Sequence, residues 1–154
     1  MKITALFFGV FAGCLSCIPA HAADYLWNGG NGSWTDSGAW RLDDSSADWS
    51  NGNTAQFQTD SSITVGSGIS ASGMLYNGAA ITLNGGSLTL TGAAAGNNGG
   101  SATLSNTGLI LDAPNAEDSY EVRDTSLTGS ATLAKTGAGT VTLDAVSYTH
   151  LRAH

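Results

Sequence analysis

Ile81-Thr-Leu-Asn-Gly-Gly-Ser-Leu-Thr-Leu90 and Ala102-Thr-Leu-Ser-Asn-Thr-Gly-Leu-Ile-Leu111 align without a gap at an offset of 21 residues. Within each half of the phrase the side chains alternate at period two, which is the strand period. Gly and Asn, which tolerate φ > 0 best, join the halves. A fixed period near 20 residues with two short strands per unit is the mark of a solenoid. One such unit cannot bury its own Leu and Ile; stacking on neighbours supplies the core and pairs the backbone. Ile81, Leu83, Leu88 and Leu90, with their counterparts in later repeats, are therefore expected to point inward. Ala131-Thr-Leu-Ala-Lys-Thr-Gly-Ala-Gly-Thr-Val-Thr-Leu143 states the phrase again with three extra residues in its turn, which sets Leu133 beside Leu83 and Leu104.

Outward from this repeat, strands are expected at residues 62–65, 73–76, 80–83, 87–90, 102–104, 109–111, 120–122, 131–133 and 140–143. Asn77-Gly78, Asn84-Gly85-Gly86 and Asn97-Asn98-Gly99-Gly100 read as turns. No segment sustains a helical apolar period. The fold class is all-β, a parallel solenoid over residues 61–144. The alternative is an antiparallel β-sandwich, which also has short strands at regular spacing but does not require one phrase at a fixed offset. Residues 23–60 carry all four tryptophans, Trp27, Trp34, Trp40 and Trp49. A solenoid's first coil lacks a neighbour on one side, so bulky side chains there read as an N-terminal cap.

The two ends differ in kind from this body. Residues 1–22 run from Lys2 through an apolar stretch to Pro19-Ala20-His21-Ala22, a signal peptide with a small-x-small cleavage site at Ala20 and Ala22, so that Ala23 begins the mature chain. The apolar run is broken by Gly9, Gly13 and Ser16 and falls short of a membrane span of about 20 residues. Phe11-Ala-Gly-Cys14 resembles a lipobox loosely, with Phe where Leu is usual. At the other end, residues 145–154 bring two His and one Arg into a stretch that had no His. Val146–His154 matches, residue for residue, the translation of a transposase-type sequencing adapter, so the reading frame is expected to be cut near Asp144 and the parent protein to be longer.

Between the ends, Ala23–Ala145 has no Cys and no His, which excludes thiol nucleophiles, a Ser-His-Asp relay, Cys- or His-based zinc sites and disulfides. Its basic residues are Arg41, Arg123 and Lys135 against 12 acids, a net charge of −9. Nucleic acid is excluded as a partner, because phosphate binding runs on clustered Lys and Arg.

Leu133-Ala-Lys-Thr-Gly-Ala-Gly-Thr-Val-Thr-Leu143 resembles the "L-x-K-x-G-x-G-T-L-T-L" core of autotransporter-associated β-strand repeats. Trp27-Asn-Gly-Gly-Asn-Gly-Ser-Trp34 with Trp40 is similar to the "W-x-G…G-x-W…W" start that often precedes them. Asn53-Thr-Ala-Gln-Phe57 resembles their "D-T-A-x-F" element, with Asn53 where aspartate is usual. The resemblance implies a right-handed parallel β-helix passenger, exported to the cell surface, outer membrane or extracellular space, from a parent anchored in the outer membrane. Only one clear repeat core and no membrane barrel are present in this sequence.

Chemistry, if any, would rest on carboxylates. Asp43, Asp44 and Asp48, flanked by Asp36 and Asp60, are the densest group and offer either an acid/base pair for glycoside cleavage or oxygens for Ca²⁺. The spacing fits neither an EF-hand nor a Gly-Gly-x-Gly-x-Asp array, and a solvated acidic loop is the simpler reading. Asn31-Gly-Ser33 matches a glycosylation acceptor. The function expected is therefore non-catalytic: an exported stalk or display scaffold with no catalytic residue, no cofactor, no metal and no transmembrane segment in the mature part. The alternatives are a carbohydrate-binding or adhesin module that uses the tryptophans against surface glycans of a host, and a fragment of a polysaccharide-active β-helix enzyme.

Overall fold

The computed structural model describes residues 21–92, 95–96 and 99–148. Ala20 of the expected cleavage site, Asn97-Asn98 of one expected turn, and Thr149–His154 lie outside the described residues.

Through the repeat region most strands alternate apolar and polar side chains, which buries one face of each, and the parallel ladders set the architecture. The chain opens with β1 (Asp24–Trp27) and β2 (Gly32–Ser33), then folds back as a hairpin, β3 (Trp40–Leu42) and β4 (Ser45–Ala47). From there it winds in four three-strand coils. The first is β5 (Asn53–Gln56), β6 (Ser61–Thr64) and the start of β7 (Ile69–Leu75); the second is the rest of β7, β8 (Ala80–Asn84) and β9 (Ser87–Leu90). The third is β10 (Ala95–Gly96), β11 (Ser101–Ser105) and β12 (Gly108–Asp112). The fourth is the two halves of β13 (Ser119–Thr128) and β14 (Thr132–Thr136), and β15 (Thr140–Tyr148) lies on β13.

Three parallel faces result. One runs β2–β6–β8–β11–β13–β15, the second β7–β9–β12–β14, the third β1–β5–β7–β10–β13–β15. Among the described residues there is no helix, and antiparallel pairing is confined to β1–β3 and β3–β4. This is a parallel β-solenoid and not a sandwich, whose sheets are antiparallel. All nine expected strands are present, usually a residue or more longer. The strands within residues 23–60 and β10 carry no clear alternating pattern; β1 and β2 nevertheless stack on β5 and β6, so the Trp-rich region contains the first rungs of the solenoid as well as its cap.

The core is a set of aligned columns. Ile63, Leu83, Leu104 and Leu127 stack in register, as do Ile69/Leu88/Leu109/Leu133 and Ala71/Leu90/Leu111. Ile81, Leu83, Leu88 and Leu90 are buried as expected, and so are Ala102, Leu104, Leu109 and Leu111. The third statement of the repeat sits differently. Leu133 stacks on Leu109, not on Leu104, whose neighbour is Leu127. The Lys135–Thr140 phrase therefore turns a different corner of the coil from Asn84–Ser87. Its Gly137 has φ +76°, and a Cβ there would run into the Ala113 carbonyl, so the corner admits only glycine. Lys135 occupies the column position of Leu90 and Leu111, exposed on the last coil, and donates from Nζ to the Gly137 carbonyl at 2.8 Å. β15 continues through Val146–Tyr148, and its Leu143 and Tyr148 are the large apolar side chains left exposed among the described residues.

Candidate functional site

The five aspartates singled out by density are dispersed into separate local tasks. Asp43 and Asp44 form the tip of the β3–β4 hairpin with φ of 48° and 63°, the pattern of a two-residue type I′ turn. Asp44 also meets Arg41 at 3.2 Å in full solvent, a contact of little energetic weight. Asp36 accepts the Ser33 N–H at 2.8 Å. Asp48 accepts the Gly38 N–H at 2.8 Å and the Ser37 hydroxyl at 3.0 Å. Those two bonds, the backbone one first, hold its carboxyl below the usual range. Asp60 reaches the next coil and accepts the Ala80 N–H at 2.8 Å. Among the described residues no three His, Cys, Asp or Glu side chains are grouped to hold a metal ion.

Asparagines do the same work as Asp60 at other corners. Asn31 Oδ1 accepts the Ser62 N–H at 3.1 Å, Asn51 Oδ1 the Ser70 N–H at 3.0 Å, and Asn106 Oδ1 the Ser130 N–H at 3.0 Å. Asn51 Nδ2 also donates to the Gly68 carbonyl at 2.9 Å. A solenoid corner breaks the strand ladder and leaves N–H groups that need an acceptor. A short amide on the neighbouring coil supplies it. Local sequence pattern carries no signal for a donor 19 to 31 residues away.

The tryptophans meet one another. Trp34 and Trp40 are fully buried, Trp27 nearly so, and Trp49 lies half-buried beside them. Ring centroids are 4.8 Å apart for Trp34/Trp40, 4.7 Å for Trp40/Trp49 and 5.1 Å for Trp27/Trp40, and Phe57, just after β5, closes the cluster. Trp40 Nε1 donates to the Trp34 carbonyl at 2.8 Å. Trp34 Nε1 is the buried side-chain polar atom without a hydrogen-bond partner among the described residues; the rings of Trp40, Trp49 and Phe57 lie around it. Sugar stacking needs an exposed ring face, and Trp27, Trp34 and Trp40 are buried.

Outside, the first face presents a hydroxyl column: Ser62, Thr82, Thr103, Ser126 and Ser147 are successive register partners. Ser126 and Ser147 hydroxyls lie 2.9 Å apart. Such small polar side chains hydrate a sheet face. They carry no titratable group.

Tyr76 is a fully buried ionisable group within the stack. Burial pushes its phenol well above the ordinary tyrosine range, against the smaller opposing effect of a hydrogen bond with Thr125. The folded state thus holds this proton more tightly than the unfolded chain, and stability present below about pH 10 is lost as pH rises beyond it. Phenolate absorbance of Tyr76 should appear only together with loss of the β-sheet circular dichroism, and Tyr76→Phe should flatten that alkaline decline. Complete tyrosine titration with the sheet signal intact would contradict the burial of Tyr76.

With this geometry in hand, comparison with known proteins adds no relative: no family model, no curated protein and no solved structure matches the chain.

Proposed function

We propose that this chain belongs to an exported β-solenoid that acts as a non-catalytic stalk or display scaffold, in the manner of an autotransporter passenger. One observation carries it. Three of the five aspartates singled out by density, Asp36, Asp48 and Asp60, and the corner asparagines Asn31, Asn51 and Asn106 accept backbone N–H groups of their own or the neighbouring coil. Asp60 and the three asparagines brace the stack. A repeat that contacts only its neighbours extends by adding coils, which suits a stalk that holds something away from a surface. The acidic exterior favours solubility and repels anionic surfaces. Among the described residues no helix is long and apolar enough to cross a membrane. The amino-terminal signal and the Lys-Thr-Gly-Ala-Gly-Thr phrase support export and the passenger role.

The test is to produce the whole reading frame in a bacterium, fractionate the cells and measure the mass of the product. Export is expected to yield a chain that begins at Ala23. Retention in the cytosol with residues 1–22 attached would overturn the proposal.

A further inference from the structure

Ala23 is the first described residue to hydrogen-bond into the fold. Its N–H donates to Asn53 Oδ1 at 2.8 Å, and its carbonyl accepts the Thr54 N–H at 2.9 Å. The Asn53 amide is oriented for this contact: its Nδ2 donates to the Ser50 carbonyl at 2.9 Å, which turns Oδ1 toward Ala23. Ala23 packs against the edge of the core, while His21 and Ala22 are exposed. The chain therefore passes from solvent to ladder between Ala22 and Ala23. That is the bond the small-x-small pattern marks for cleavage.

We propose that Asn53 is a binding site for the α-ammonium group created when the chain is cut after Ala22, and that the cut clamps β1 onto β5. This rests on the export proposal above. In the cut, water adds its hydroxyl to the Ala22 carbonyl carbon and the C–N bond breaks. The Ala23 nitrogen keeps its hydrogen and gains one proton from that water and one from solvent. The product is an ammonium with three N–H donors in place of one, at an atom already 2.8 Å from an acceptor. A hydrogen bond from a charged donor is about twice as strong as its neutral counterpart, so cleavage strengthens the first rung of the solenoid. Few charges compete there. β5 (Asn53–Gln56) has no titratable side chain, β1 contributes Asp24 and Tyr25, and Arg41 on β3 is engaged with Asp44. His21 departs with the leader.

The experiment uses the exported, processed chain purified from the same bacterium, with Asn53→Ala and Asn53→Asp variants. An amine-acylating reagent reports the free-amine fraction at the α-nitrogen at pH 7, with Lys135 as internal reference. An acceptor that favours the charged form raises the amine's pKa above its free range of about 7.7–8.0, and a carboxylate within contact raises it by about one unit or more. The α-amine of Asn53→Asp should therefore react about tenfold more slowly than that of Asn53→Ala, with the parent chain between them. Should Asn53→Ala fail to fold, the parent and Asn53→Asp are compared alone, and equal rates there overturn the clamp. A chain that starts at Ala23 and labels at one rate in all variants overturns the clamp and leaves export standing. A chain that starts elsewhere overturns the processing on which both rest.

Discussion

Leu104→Asp is expected to abolish cooperative folding at neutral pH. Leu104 is 1% exposed and sits between Leu83 and Leu127 in a continuous column, so the carboxylate has apolar neighbours on both adjoining coils. Losing the leucine alone costs about 2–5 kcal/mol, and burying an unpaired charge adds several more, against a total stability of about 5–15 kcal/mol for a domain. The sign of the pH effect follows. The folded chain favours the neutral acid, so its carboxyl titrates above the ~3.9 of the unfolded chain. Stability therefore recovers as pH falls and is lost as pH rises through that raised value. Urea melts followed by circular dichroism should show no folded baseline at pH 7 and a partial one near pH 4, with Leu104→Ala intermediate. A parent-like melt at pH 7 would show that Leu104 does not point inward.

The second large effect is at the cap. Trp40→Ala removes a fully buried ring that touches Trp27, Trp34, Trp49 and Phe57, and deprives the Trp34 carbonyl of its indole donor. Truncation of a buried tryptophan costs about 3–5 kcal/mol. Because each coil contacts only its neighbours, the loss should be felt first where it is made. Amide exchange is expected to speed up at Leu26 and Trp27, which pair with β3, and to remain slow at Ala102–Ser105 in the third coil. Trp40→Phe keeps part of the packing without the donor and should fall between. Uniform loss of protection along the chain would mean that cap and coils unfold as one unit.

How much of this was legible in the residues differs from element to element. β8 and β11 were readable together with their pairing, because Ile81–Leu83 and Ala102–Leu104 alternate cleanly and the turns between strands have equal length. The fourth coil was readable as strand but not as register. A period-two pattern matches equally well whichever face of the coil a strand occupies, so the phrase at Ala131–Leu143 aligned with the wrong corner. The longer connection at Pro114–Asp118, closed by Asp118 accepting the Asn115 N–H, shifts the phase and brings Leu133 onto Leu109. The aromatic cluster was legible from four neighbouring tryptophans, whereas the β3–β4 hairpin that carries Trp40 into it rests on Asp43 and Asp44 at positive φ, and two acids in a row read first as a charged site.

The sequence by itself determined that this protein is a stack of short strands with a coil of about 21 residues, and which side chains of the repeat at residues 81–111 face the core. Those are properties of spacing and polarity, and they are local. Tertiary structure alone decided which column each strand joins and which backbone N–H of the neighbouring coil Asp60, Asn31, Asn51 and Asn106 accept. Both depend on the summed length of corners between contacts 19 to 31 residues apart. No window of the sequence short enough to show a pattern contains both partners.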